Sequence, residues 1–307
     1  MTENIYKHSS APGCISAAYD MLLENRKNIF RKLALPAIAF GISLTVCLLA
    51  YTPNKALNDW GLCHPTLTML LLIGAALLAV GVSFWLVAAT FTLLNEKKLI
   101  SNFRRSLVVF VVIVVYELLI FGAQYLCMNV IGNMLLNRFA DKAVGVMILC
   151  SLLFLLLYIV ILVAFLPYVF STTKYLYDHT TILKGLFTSD YKRGWKNLGH
   201  IFLTMLLMAI LIAVVTFIAS TPFVIAFMAQ ASNQLGMLEG DPSGAPAHLL
   251  WIVVVVSFFT MTLMAFVFVW EIFVLVHLYG SIETRETERL GEAYFSSPKL
   301  NFGKSVS

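Results

Sequence analysis

The chain has 307 residues, of which 60% are apolar and 12% are charged, and its formal net charge is +5. A soluble domain carries about 25% charged residues, so the composition excludes a water-soluble protein and predicts an integral membrane protein. The basic residues cluster beside apolar segments, a distribution that sets the orientation of membrane spans and favours contact with anionic lipid headgroups. It argues against a nucleic-acid partner.

Six apolar runs are each long enough to cross a bilayer, which takes about 20 residues of helix. They cover 33–52, 67–94, 107–128, 144–170, 200–229 and 249–280. The predicted fold class is therefore an all-α polytopic bundle of six transmembrane helices. A cytoplasmic segment at 1–32 precedes this domain, and a partly disordered cytoplasmic tail at 281–307 follows it. Pro36, Pro167 and Pro222 are expected to kink or end their helices.

The distribution of lysine and arginine predicts the orientation. Of the 21 basic residues, 18 lie before span 1, between spans 2 and 3, between spans 4 and 5, or after span 6. The positive-inside rule then places both termini in the cytoplasm, and we expect a bacterial inner membrane. No cleavable signal peptide is expected before span 1.

The segments that lead into spans 1, 3 and 5 share an aromatic residue and a basic cluster, which is typical of amphipathic helices in the membrane interface. They predict three repeated units, each an interfacial helix followed by a transmembrane hairpin, beginning near residues 15, 92 and 180. The alternative is that any loop entering a membrane from the cytoplasm is basic. The candidate headgroup contacts are Arg31, Lys32, Arg104, Arg105, Lys192, Arg193 and Lys196.

The basic lead-ins, the turn Tyr191-Lys-Arg-Gly-Trp195-Lys and the six spans together resemble several uncharacterised bacterial multi-pass families. One of them is the membrane domain attached to some glycerophosphodiester phosphodiesterases. The resemblance covers the architecture of most of the chain. The catalytic domain of that family is absent from this sequence, so its chemistry is not carried over.

Two carboxylates lie inside predicted spans, Glu117 in span 3 and Glu271 in span 6. A charge at the centre of a span costs about 2.5–3.5 kcal/mol, so both are expected to face protein or a wet cavity. Gln124 shares a helix face with Glu117, and Thr260 shares one with Glu271. These lines would bind a cationic or hydroxylated substrate or carry protons, or else only fix helix register through hydrogen bonds. His277 is interpreted as an interfacial residue.

Small residues predict where helices approach closely. Ala75, Ala79 and Ser83 form a ridge in span 2, and Ala209 and Ala213 repeat the pattern in span 5. Such ridges let transmembrane helices pack at short distance. Span 2 is therefore predicted to be the central helix of the bundle.

No motif for a catalytic serine, a zinc protease or a nucleotide phosphate site occurs in the sequence. The five cysteines have no metal-ligand spacing, so neither a metal nor another cofactor is expected. Cys63 and Cys127 fall near the outer side, where an oxidising compartment would join them. We favour two free thiols.

The leading functional hypothesis is a non-enzymatic protein, either a transporter-like permease with Glu117 and Glu271 in one central cavity or a subunit of a membrane complex. A structural scaffold that holds lipids or a partner through its basic helices is the second hypothesis. A lipid-modifying enzyme with an unrecognised site near His200 or His277 is the third. The implied partners are the bilayer, anionic headgroups, and a membrane protein or further copies of the chain.

Overall fold

The computed structural model describes residues 5–7, 9–51, 63–138, 143–238, 240 and 248–296. These residues form helices joined by short links, and no strand occurs among them. The helices are α1 (Ala11–Glu24), α2 (Arg26–Tyr51), α3 (Pro65–Asn95), α4 (Leu99–Tyr125), α5 (Gly132–Arg138), α6 (Ala143–Tyr177), α7 (Leu183–Phe187), α8 (Ser189–Lys196), α9 (Leu198–Leu238) and α10 (His248–Ser296). A π-helical segment, Leu126–Ile131, joins α4 to α5.

The six predicted spans are confirmed, since six of the described helices are long and apolar enough to cross a membrane. The first three are α2, α3 and α4, and α4 continues through the π-helical segment into α5. The other three are α6, α9 and α10. None of the three prolines ends its helix, because α2, α6 and α9 continue past Pro36, Pro167 and Pro222, so of the two predicted outcomes only a kink remains. The predicted domain boundaries at 32 and 280 fall inside α2 and α10, so neither marks a structural break.

Lead-in helices precede the first and third outgoing spans but not the second. Before span 3, α3 ends at Asn95, and Glu96 caps it in the left-handed conformation (φ 57°) with its N–H bonded to the carbonyl of Thr92. Lys98 is extended, and α4 begins at Leu99. The link is too short for a separate helix, so the predicted three-fold repeat lacks its second interfacial helix.

Both terminal regions lie at the same end of the bundle. The Ser9 backbone N–H donates to Ser281 Oγ at 3.2 Å, and that hydroxyl donates to the Ser9 carbonyl at 2.9 Å. Ile5 packs on Gly280, where a side chain would collide with the Ile5 backbone. We call this end, which carries α1, the α3–α4 link, α7, α8 and the last turns of α10, the basic end, and the opposite one the far end.

The core of the bundle surrounds α10 near the basic end. From Ile272 to Ile282 this helix is buried on all sides apart from half-buried Leu275, and it packs against α1, α2, α3, α6 and α9. A helix enclosed all round is the centre of its domain. The prediction that span 2 is the central helix is therefore wrong. In α3 the half that carries Ala75 and Ala79 is exposed on its other sides, and only the half from Val82 to Asn95 is enclosed.

The far half of the bundle is open by comparison. On α6, most residues between Val144 and Val160 are exposed, whereas the stretch from Leu166 to Tyr177 is largely buried. The five cysteines are unpaired in the structure, with Cys63 exposed and Cys127 buried. Residues 241–247, between spans 5 and 6, and the tail beyond 296 lie outside the described residues.

Candidate functional site

A groove of about 650 Å³ runs between α9 and α10 and contains Glu271. We call it the Glu271 groove. Its lining residues are Met205, Met208, Ala209, Ile212, Ala213, Thr216, Phe217, Ser220 and Glu271. Ala209 and Ala213 are exposed in it. The prediction that this pair of alanines forms a close-packing ridge is therefore wrong, since their small side chains open a groove along α9.

Glu271 is the only ionisable residue that lines the groove. It is half-buried and has no hydrogen-bond or ion-pair partner within the described part of the chain. The two lining hydroxyls are already used, because Thr216 Oγ1 donates to Met264 Sδ at 3.7 Å and Ser220 Oγ donates to the Phe217 carbonyl at 3.5 Å. The groove therefore presents one unsatisfied carboxyl group in otherwise apolar surroundings.

Glu117 does not reach this groove. It is exposed on α4, which packs against α3 and α6, and α4 makes no extended contact with α10 among the described residues. Gln124 is exposed on the same helix. The predictions that Glu117 faces protein or a wet cavity, and that it shares a cavity with Glu271, are wrong for the single chain.

Two other polar residues of span 6, Thr260 of the predicted polar line and His277, are buried. Thr260 is only 7% exposed and does not line the groove, so the structure separates it from Glu271. His277 is 5% exposed and lies in the fully enclosed part of α10, which overturns its interpretation as an interfacial residue. Its Nε2 atom has no hydrogen-bond partner among the described residues.

A buried ion-pair cluster lies at the basic end. Lys174 on α6 is 9% exposed, and its Nζ lies 2.5 Å from Glu283 Oε1 and 3.3 Å from Asp190 Oδ1. Arg193 Nη1 adds a contact of 3.4 Å to the same Glu283 oxygen. The cluster ties α6, α8 and the end of α10 together, and Gly194 packs directly on Pro167 beside it.

A second polar network caps α6. The Arg105 guanidinium on α4 donates to the carbonyls of Tyr175, Asp178, His179 and Thr181 and lies 4.5 Å from the centre of the Tyr175 ring. These bonds satisfy carbonyl groups at and just beyond the helix end that have no partner within the helix. Arg105 is therefore a structural cap, and its predicted contact with lipid headgroups is wrong.

Fully buried Asn102 stands at the centre of this network. Its amide group exchanges hydrogen bonds with the amide of Asn95 at 3.0 and 3.1 Å, and it donates to Thr92 Oγ1 at 3.0 Å. His179 Nε2 lies 2.9 Å from Asn102 Oδ1, and its Nδ1 lies 3.3 Å from Ser101 Oγ. Partial burial and the charges of Arg105 and Lys97 lower the pKa of His179, which favours the neutral ring.

The remaining basic candidates stay open to the membrane surface or solvent. Arg31, Lys32, Arg104, Lys192 and Lys196 are exposed, whereas Arg193 pairs with Glu283. Beside Lys192 and Lys196 the side chains of Ile182, Phe187 and Trp195 are also exposed. An exposed apolar surface with lysines alongside is what an interfacial helix requires, so this region remains compatible with the predicted headgroup contacts.

Several residues of the two polar networks were missed from the sequence. Lys174, Asp190 and Glu283 come from three separate helices, so their sequence spacing does not predict that they meet. The one sequence signal is that Lys174 lies four residues past the end of a predicted span, which indicates that its side chain is close to the bundle. Asn95 and Asn102 are seven residues apart across a turn, a spacing that gives no signal unless the turn itself is predicted. Among the described residues, no group of three or more His, Cys, Asp or Glu side chains could hold a metal ion.

No protein family, curated protein or solved structure matches this chain. The resemblance to bacterial six-span families therefore stays a prediction. The function is inferred from the residues and their geometry.

Proposed function

We propose that the protein is a non-enzymatic subunit of a membrane complex, located in a bacterial inner membrane with its basic end in the cytoplasm. In this assignment α4 docks against a transmembrane helix of another polypeptide. The outward position of Glu117 in the middle of a membrane span is the observation that supports it. The docking face, which we call the α4 strip, consists of Ile113, Glu117, Phe121 and Gln124.

The physical argument is the cost of a carboxyl group in hydrocarbon. An ionisable side chain at the bilayer centre costs about 2.5–3.5 kcal/mol on insertion scales, and such residues almost always face protein or water. In the single chain Glu117 has no hydrogen bond or ion pair to any described residue. A partner helix would cover it and supply the hydrogen bonds, which are typical contacts between transmembrane helices.

The rest of the α4 strip supports the same assignment. Gln124 adds an amide group two turns from Glu117, able both to donate and to accept a hydrogen bond. Between them Phe121 is 66% exposed, and Ile113 is 51% exposed one turn before Glu117. Two polar groups separated by an aromatic side chain provide both packing area and a fixed register for a partner helix.

A transporter-like permease is the second candidate, and the Glu271 groove favours it. The groove carries a single intramembrane carboxyl group of the kind that binds cations in transporters. Glu117 takes no part in this version, since it lies on another face of the bundle.

Capture of the tagged protein from native membranes, with quantitative mass spectrometry after mild crosslinking, tests the proposal. We expect a stoichiometric partner that is a different polypeptide, and Glu117→Leu should release it. The same substitution makes the single chain more compatible with lipid, so its membrane insertion should be unchanged or improved. Leu77→Ala is the control, because Leu77 is equally exposed on α3. Capture of a lone chain from wild-type membranes would refute the subunit assignment.

A further inference from the structure

We infer that the Glu271 groove binds a single-chain amphiphile with a cationic amine. The amine lies at Glu271, and the hydrocarbon chain extends along α9 towards the far end. This site is independent of the α4 strip, because it lies on different helices, and it would exist in a subunit or in a permease.

Charge complementarity identifies the headgroup. Glu271 is the one ionisable side chain among the nine that line the groove, so nothing there would bind an anion. A carboxylate without a partner in apolar surroundings is costly, and an ammonium group offers three donors for short, charge-assisted hydrogen bonds. A cationic amine therefore satisfies Glu271 in a way that a neutral or anionic headgroup does not.

The shape of the groove identifies the rest of the ligand. Lining residues on α9 extend from Met205 to Ser220, which corresponds to about 22 Å at the helical rise of 1.5 Å per residue. Since α9 and α10 run in opposite directions through the membrane, Glu271 lies near the end of the groove that is closer to the basic end. The ligand that fits has its charge at one end and a long apolar chain.

The lining chemistry agrees with a hydrocarbon chain. Beyond Glu271 the groove is lined by methionine, alanine, isoleucine and phenylalanine, and its two hydroxyl groups are already engaged by Met264 and the Phe217 carbonyl. Methionine side chains adapt to irregular apolar ligands. The volume of about 650 Å³ lies within the range of about 300–1,000 Å³ typical of small-molecule sites.

Entry from the bilayer follows from the open side of the groove. Ala209 and Ala213 are exposed along the groove, and Phe217, nearer the far end, is 76% exposed. An amphiphile already dissolved in the membrane would enter the groove laterally from the bilayer, between α9 and α10. It would not have to cross the packed basic end.

Photolabelling in lipid nanodiscs tests this inference. The probe is hexadecylamine with a diazirine in its chain, and adducts on the full-length protein are mapped by mass spectrometry. We expect adducts between Met205 and Ser220, competed by hexadecylamine and not by hexadecanol. Glu271→Gln should weaken the apparent affinity about 10- to 100-fold, the usual effect of losing a hydrogen bond to a charged group. Glu117→Gln is the matched control and should leave labelling unchanged.

A second variant covers the case in which Glu271→Gln does not fold. Ala213→Phe fills the groove without touching the carboxyl group, and it should abolish labelling between Met205 and Ser220. Three results would overturn the inference: equal competition by hexadecanol, equal competition by a two-chain aminophospholipid, or unchanged labelling in folded Glu271→Gln. Loss of the captured protein partner would not affect it, because the labelling uses the isolated chain.

Discussion

The basic half and the far half of the bundle are built in different ways. At the basic end, α6 and α10 are enclosed, and the two polar networks join α4, α6, α8 and α10, while hydrogen bonds between Ser9 and Ser281 attach the segment before α1. At the far end the same helices expose long apolar side chains such as Leu156 and Phe259, at 58% and 67%. The stability of the isolated chain is therefore expected to reside in the basic half, and the far half presents surface for lipids, ligands or partner helices.

This contrast has a physical reason. Near the headgroups, polar side chains can join helices by hydrogen bonds and ion pairs, and the described ion pairs and carbonyl-capping bonds between spans lie at the basic end. Deeper in the bilayer no hydrophobic driving force holds helices together, because lipid tails are as apolar as leucine. Of the two unsatisfied carboxyl groups, Glu117 lies where the chain provides little packing of its own, whereas Glu271 lies at the border of the enclosed stretch of α10.

The largest expected effect comes from breaking the ion-pair cluster. Lys174→Met leaves Glu283 and Asp190 buried without their main cation, and losing one partner of a buried pair costs about 3–5 kcal/mol. Unfolding of the detergent-solubilised protein by heat or dodecyl sulfate measures the loss. Lys192→Met is the control, since Lys192 is exposed, and it should change stability by less than about 0.5 kcal/mol. Equal effects of the two variants would show that the cluster is not structural.

Leucine-to-alanine substitutions compare how much each half contributes to the stability of the chain. Leu94 is fully buried at the basic end, so Leu94→Ala should cost about 2–5 kcal/mol through lost burial and the cavity it leaves. Leu156→Ala in the far half removes the same atoms from an exposed position and should cost less than about 0.5 kcal/mol in the isolated chain. The same unfolding assay applies to both, and a large loss for Leu156→Ala would contradict an open far half.

Two neighbouring arginines separate structural from surface roles. Arg105→Gln removes the cap of α6 and should cost about 1–3 kcal/mol, because it leaves several carbonyl groups without their donor. Arg104 is exposed, so Arg104→Gln should leave stability unchanged and reduce the enrichment of anionic lipid around the protein in mixed-lipid nanodiscs. Thermal unfolding measures stability, and the anionic lipid that co-purifies from the nanodiscs measures the enrichment. The reverse result would make Arg104 the structural residue and Arg105 the lipid contact.

The smallest expected effect is a pH dependence of the network around Asn102. Because the pKa of His179 is lowered in the folded protein, the unfolded chain binds the proton more readily and stability falls as the pH drops below about 6.5. His179→Gln should reduce the difference in melting temperature between about pH 7.5 and about pH 5.5. An undiminished difference in the variant would assign the pH dependence to other groups.

Sequence patterns predicted the spans well because a bilayer imposes one strong requirement on each of them. Length and apolarity located all six helices, and spans 2, 4, 5 and 6 begin close to their predicted starts, whereas spans 1, 3, 4 and 6 extend about two turns further at the basic end. In the continuation of α10, Arg289 Nη1 lies 3.0 Å from Glu286 Oε1, a contact that i,i+3 spacing on a helix favours. Such features depend on local periodicity alone.

The site was predicted poorly because it depends on which faces meet. Helical spacing places Glu117 and Gln124 on one face, but nothing in the spacing indicates whether that face points inward or outward. The same pattern of small residues predicts close packing for both alanine pairs, but Ala75 and Ala79 are buried whereas Ala209 and Ala213 line a groove. Arg105 was predicted to contact lipid headgroups because it belongs to a basic cluster at the end of a span. It caps α6 instead, and the sequence does not separate the two roles because headgroups and helix carbonyls attract the same side chain.

Photocrosslinking in native membranes from two equally exposed positions tests the proposed complex most directly. Phe121 on the α4 strip and Leu77 on α3 are each 66% exposed, and either can be replaced by a photoreactive residue. A protein adduct from position 121, with only lipid adducts from position 77, is the predicted result. Lipid adducts alone from position 121 would show that Glu117 faces the bilayer and would contradict the assignment of the chain as a subunit of a membrane complex.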